Sequence, residues 1–292
     1  MNFPEIPLDQ FDDYLHRPLV ASNELCQAKV LDTLKKTKIV GNTAIGVGTF
    51  FILNAVAVTP TIERIFVFDR SPRVTHFWEK AIEIIKRSKT RFDVILAIEA
   101  LLKKESTRYF EEWGMKDSID ATAKGECEAF QANIAEGISW LSHDEKFNRI
   151  KEIFHRNCFV FARVDLFNVI SMCRFKRLLE ENNLTLGLAY LSNISQFCSE
   201  YESYTTGMNR ILLPTTYVIS AHSLLYDLPT QIIRQRKNLP LELLCFPEWE
   251  GEENRQETNL LSDPILWIGK HFTSIVMTSL IASAILVRSW RR

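Results

Sequence analysis

Five short apolar runs, each ending in a glycine, an acid or a small polar residue, constrain this chain more than any other feature. They are Lys38–Gly41 (KIVG), Arg64–Asp69 (RIFVFD), Cys158–Asp165 (CFVFARVD), Leu184–Asn193 (LTLGLAYLSN) and Ile211–Ser220 (ILLPTTYVIS). Stretches with helical spacing lie between them, among them TFFILNAVAV, WLSHDEKFNRIKEIF and LFNVISMCRFKRLLEE. Apolar runs of this length bounded by turn signals are strand-like. Their alternation with helices predicts parallel strands joined by right-handed crossovers, hence a Rossmann-like, open α/β sheet. The interval from Asp69 to Asp165 is roughly three times what one crossover needs. It reads as a helical insertion over about residues 70–156.

In an open α/β sheet the ligand lies outside the carboxyl ends of the strands. The residues there include a glycine cluster, Gly41, Gly46 and Gly48, within the sequence KIVGNTAIGVG. A side chain at Gly46 or Gly48 would block a nucleotide's approach to the backbone. Asp69, 21 residues beyond Gly48, is placed to accept hydrogen bonds from a ribose diol. Its charge disfavours a 2′-phosphate. The glycine spacing departs from the G-x-G-x-x-G dinucleotide fingerprint, which makes a nicotinamide cofactor less favoured. Asp69 and Asp165 each also have a plain reading as helix N-caps.

These motifs resemble the class I S-adenosylmethionine-dependent methyltransferases over roughly Lys36 to Ser220, and FVFDRSP, WLSHDEKF and YLSNI are similar to uncharacterised bacterial members. The resemblance implies S-adenosylmethionine as cofactor. It matches Gly41, Gly46 and Gly48 to the family's glycine-rich loop and Asp69 to the acid that holds the ribose hydroxyls. Asp165 matches the acid near the adenine amino group, and Ser192 with Asn193 matches the motif beside the methionine moiety. Two departures stand out. No acid precedes the glycine loop in KIVG, and the fourth run lacks the N-P-P-Y of amino-methylating enzymes. The expectation is a methyltransferase-like transferase acting on a small molecule, lipid or protein. The alternatives are an inactive interaction protein that keeps the fold and an NAD- or nucleotide-binding protein.

A formal net charge of -1 removes the signature of a general nucleic-acid binder. The six cysteines are scattered, with no C-x-x-C and no zinc spacing to the histidines, so neither a disulfide framework nor a structural metal is expected. The start, MNFPEIPLDQFDD, is acidic and unlike a signal peptide, which points to a cytoplasmic chain. The expected organisation is an N-terminal helical segment over residues 1–35 and an α/β domain over 36–247. An acidic linker over 248–262 and an apolar segment over 263–292 follow. In that last segment His271 to Val287 is a run of 17 residues without Lys, Arg, Asp or Glu. Seventeen is the lower limit for crossing a bilayer, so a membrane anchor and an element buried in the fold both stay open. His222, just past the fifth run, is the one histidine on the presumed ligand edge.

Overall fold

The computed structural model describes residues 24–48, 50–112, 119–192, 194, 201–222, 229–237, 239 and 241. The apolar C-terminal run, the acidic linker, Asn193 and the first 23 residues lie outside them. Among the described residues six strands form one sheet in the order β3-β2-β1-β4-β5-β6. The strands are β1 (Thr43–Val47), β2 (Arg64–Asp69), β3 (Phe159–Arg163), β4 (Leu186–Ser192), β5 (Tyr217–His222) and β6 (Thr230–Gln235). The first five run parallel, and β6 pairs antiparallel with β5. The fold is a Rossmann-like α/β sheet with flanking helices. Its order reverses between β1 and β4, which defines the switch-point crevice.

Among the described residues eight helices accompany the strands: α1 (Gln27–Lys36), α2 (Phe51–Ala57), α3 (Pro72–Arg87), α4 (Arg91–Glu112), α5 (Ile119–Ala135), α6 (Asp144–His155), α7 (Val169–Glu181) and α8 (Tyr201–Ile211). Helices α3 to α6 are the helical insertion expected between the second and third strands. α7 packs with α8, whereas α2 packs with α1 and α6, so the sheet has a layer of helices on each side. Phe66 and Phe68 of β2 meet Phe175 of α7, with ring centroids 5.1 and 4.9 Å apart. Trp78 of α3 packs on Phe159 of β3 at 5.0 Å. Apolar residues of β1, β2 and β4 are buried on both faces, as parallel strands between two helical layers must be. Phe77 and Trp78 of α3 are buried in the core.

Two polar links fasten the insertion to the first crossover. Asn54 of α2 accepts the backbone N–H of Trp140 at 2.8 Å. Arg149 of α6 donates to the carbonyls of Val56, Thr59 and Ile62, where the end of α2 leads into β2. The carbonyls of Val56 and Thr59 also accept the N–H groups of Thr59 and Ile62, so the guanidinium adds to turns that the backbone has already closed.

Several boundaries differ from the sequence reading. The first strand is not Lys38–Gly41 but Thr43–Val47, so Gly46 lies inside it. The third strand ends at Arg163, two residues before Asp165. Ile211 closes α8, and Pro214 falls in the turn before β5. β6 was not anticipated. Leu25 belongs to the sheet edge rather than to a helix: it receives Gln231 N–H at its carbonyl and donates to Pro229 O.

Candidate ligand site at the carboxyl ends of the strands

The parallel strands deliver Gly48, Asp69 and Ser192 to one edge. Val47 pairs with Phe68, so Gly48 and Asp69 follow side by side, and Gly48 N–H donates to Phe68 O at 3.3 Å. Gly48 has φ +47, and a Cβ there would lie 2.9 Å from Asp69 Oδ2. This glycine therefore keeps one face of the carboxylate open. Its carbonyl accepts the indole N–H of Trp78 at 3.0 Å, which ties the turn to α3. Ile45 pairs with Ala189, three residues before Gly48 and Ser192 alike, which brings the ends of β1 and β4 together across the crevice.

Asp69 is half-buried at the end of β2. Its Oδ1 accepts the backbone N–H of Ser71 at 2.8 Å. Burial pushes its carboxyl up to about 6, although backbone N–H groups of Ser71 and Arg70 pull the other way. Asp69 does not cap α3. The cap position is Ser71, with Pro72 opening the helix. Asp165 follows β3, where its Oδ1 accepts Phe167 N–H at 2.9 Å in an Asx turn. The cap of α7 is Asn168, whose side chain accepts from Ile170 and Ser171. The plain reading of these two aspartates as caps is thus replaced by neighbouring residues.

The other two glycines serve packing. Gly41, at φ +129 before β1, lies against the backbone of Gly187, where a Cβ would come within 2.7 Å of its nitrogen. It stands at the amino end of the sheet, away from the carboxyl-end crevice. A Cβ on Gly46 would fall 2.6 Å from Ile52 Cβ. The space beside Gly46 is filled by α2 and not by ligand, which corrects the expectation for this residue. The glycine loop reduces to Gly48.

Ser192 turns its hydroxyl toward Glu24, a residue the sequence reading left out. Glu24 Oε1 accepts from Ser192 Oγ, and Oε2 accepts from Tyr190 Oη at 2.8 Å and from Gln231 Nε2. Gln231 reaches this edge because β6 runs backwards, so its first residues stand where the parallel strands end. The available signal was the polar pattern within the otherwise apolar YLSN and TQII. Among the described residues no group of three His, Cys, Asp or Glu is arranged to hold a metal ion. No helix among them is long and apolar enough to cross a membrane.

Fold and site define a Rossmann-like α/β chain with a polar, acid-bearing crevice at its switch point. The chain belongs to the family described as Domain of unknown function (DUF7790), whose model matches residues 19–221. No curated protein matches it. Among solved structures it is similar to the rRNA methyltransferase aviRa from Streptomyces viridochromogenes, at 9% identity and a TM-score of 0.34, over 73% of this chain and 84% of that one.

Proposed function

We propose that the crevice binds S-adenosylmethionine and that the chain is a methyltransferase-like transferase. The juxtaposition of Gly48 and Asp69 carries this reading. A half-buried carboxylate kept open by a glycine suits a ribose diol, which offers two O–H donors and no charge. Asp165 is the candidate for the adenine amino group, at the end of the neighbouring strand. Ser192 stands across the crevice, toward the reacting end, and Asn193 follows it in the chain. When bound, the cofactor would supply a methyl group on a sulfonium. The chain's own contribution is to hold that donor and its acceptor in line, which by itself can account for much of such a reaction's acceleration.

A second reading, a chain that keeps the fold without catalysis, is favoured by the lack of any acid in β1, TAIGV. Calorimetry with S-adenosylmethionine, S-adenosylhomocysteine and NAD separates the readings. Binding of the two adenosyl sulfur compounds at micromolar concentration, weakened by Asp69→Ala, supports the proposal. Binding of NAD alone, or of none of the three, overturns it.

A further inference from the structure

Glu24 brings a carboxylate into the interior at the carboxyl end of β4, from a segment outside the parallel strands. Glu24, Tyr190 and Gln231 are 5%, 0% and 2% exposed, while Ser192 is half-buried at the rim. The cluster therefore has a wet end and a dry end, joined by the Ser192 hydroxyl that donates to Glu24 Oε1. Phe51, the first residue of α2, packs against Tyr190 at the dry end, with ring centroids 4.9 Å apart and the rings tilted by 48°.

Two features of the cluster disfavour folding. Ser192 has φ 51, in the left-handed region, and the pairing of β4 with β5 is irregular between Tyr190 and Ser192. That conformation costs a non-glycine residue about 1–2 kcal/mol. Gln231 commits Nε2 to Glu24, and its buried Oε1 has no hydrogen-bond partner among the described residues. Such an acceptor costs about 1–3 kcal/mol. Well-packed apolar residues would be easier to fold here. Strain and an orphaned acceptor gathered around one buried acid, at a switch point, mark a group kept for use.

We propose that Ser192 and Glu24 form a proton relay for the acceptor of the transfer, and that this acceptor is an amine or a hydroxyl. The inference rests on the adenosyl-sulfonium reading above. The acceptor nitrogen or oxygen donates a hydrogen bond to Ser192 Oγ from the crevice side. As its lone pair forms the new bond to the methyl carbon, the electron pair of the broken C–S bond stays on sulfur. The acceptor's proton then passes to Ser192 Oγ, and the hydroxyl proton of Ser192 passes to Glu24 Oε1. A sulfonium and a carboxylate thereby become a neutral thioether and a neutral acid, so no net charge is left behind. Tyr190 and Gln231 are positioning residues that fix the Glu24 carboxylate. A thiolate or carboxylate acceptor has no proton to lose and needs no relay.

Three measurements on the full chain test this: S-adenosylhomocysteine binding by calorimetry, transfer of radiolabelled methyl from S-adenosylmethionine into a heat-treated cell extract, and the infrared carboxylate band of Glu24. The band is identified by its loss in Glu24→Gln. Ser192→Ala and Glu24→Gln should each lower label transfer by about 10²-fold or more. The double variant should be little worse than either single one. Homocysteine-adduct affinity should change little, and the Glu24 band should shift in Ser192→Ala. If Glu24→Gln does not fold, Ser192→Ala with its band shift carries the test. An unaltered chain that fails to bind S-adenosylhomocysteine overturns the cofactor reading and the relay together. A chain that binds it overturns the relay alone if it transfers no label, if the variants transfer label at full rate, or if affinity collapses with transfer.

Discussion

The indole of Trp78 donates a hydrogen bond to the carbonyl of Gly48 across 30 residues of chain, at 3.0 Å. The turn that ends β1 is thus held by the helix that follows β2. Trp78 is fully buried and also packs on Phe50, with ring centroids 5.0 Å apart. Trp78→Phe removes the donor and leaves the carbonyl unsatisfied. We expect a stability loss of about 1–3 kcal/mol, read by urea unfolding, together with faster hydrogen exchange around Gly48.

Asp69 gives the second prediction. Its folded-state carboxyl titrates near 6, against an ordinary value of 3.8, because burial disfavours the charge. Between those two values the folded chain holds a proton that the unfolded chain has lost. This group's effect is therefore a stability that falls as pH rises from about 4 to 6. Partial solvent access reduces the full effect, and Asp69→Asn should be more stable than the unaltered chain by about 1–2 kcal/mol at pH 8. At pH 4 the two should melt alike. Adenosyl ligands should bind the unaltered chain progressively less well below pH 6, and the Asn variant weakly at every pH. A constant stability difference across this range would remove the ionisation argument.

Gly46 and Gly48 should separate cleanly. Gly46→Ala drives a methyl into Ile52 and should cost about 1–3 kcal/mol of stability, with ligand affinity of the folded fraction unchanged. Gly48→Ala should cost about 1–2 kcal/mol for its left-handed backbone. Its methyl presses on Asp69 Oδ2, so S-adenosylhomocysteine affinity should fall at least tenfold. Paired thermal melts and calorimetry read both effects.

Arg149 gives a prediction with no ligand involved. Its guanidinium serves the carbonyls of Val56, Thr59 and Ile62, of which Val56 and Thr59 also accept backbone N–H groups, so Arg149→Met should destabilise the fold by about 1–3 kcal/mol. Arg149→Lys, with one flexible ammonium in place of a planar fork, should recover only part of that loss.

The sheet was legible in the sequence because parallel strands buried on both faces leave continuous apolar runs, and RIFVFD corresponds to β2 residue for residue. The first strand was displaced because KIVG and TAIGV are both short, apolar and glycine-bearing. Gly46 was read as ligand space because sequence does not say that Ile52 returns over it. Asp69 and Ser192 were legible as strand ends because each closes a continuous apolar run. Glu24 and Gln231 were missed because one precedes the first helix and the other opens a reversed strand. Each reaches the crevice through long-range pairing that leaves no local period.

The Arg149 clasp divides what reads in sequence as one insertion. Helix α6 carries the guanidinium that finishes α2, so it is part of the α/β frame even though it comes late in the inserted stretch. The α4–α5 pair packs with itself and against α3, and Arg91, at the start of α4, bonds to Asp144 and to the carbonyl of Leu141. In modular terms, α3 and α6 are the posts between which the α4–α5 pair is mounted, and Val94, Ile98 and Leu102 of α4 root that pair in the common core. A protein shortened within that pair should keep Arg149 on its helix and the buried residues of α4 in place.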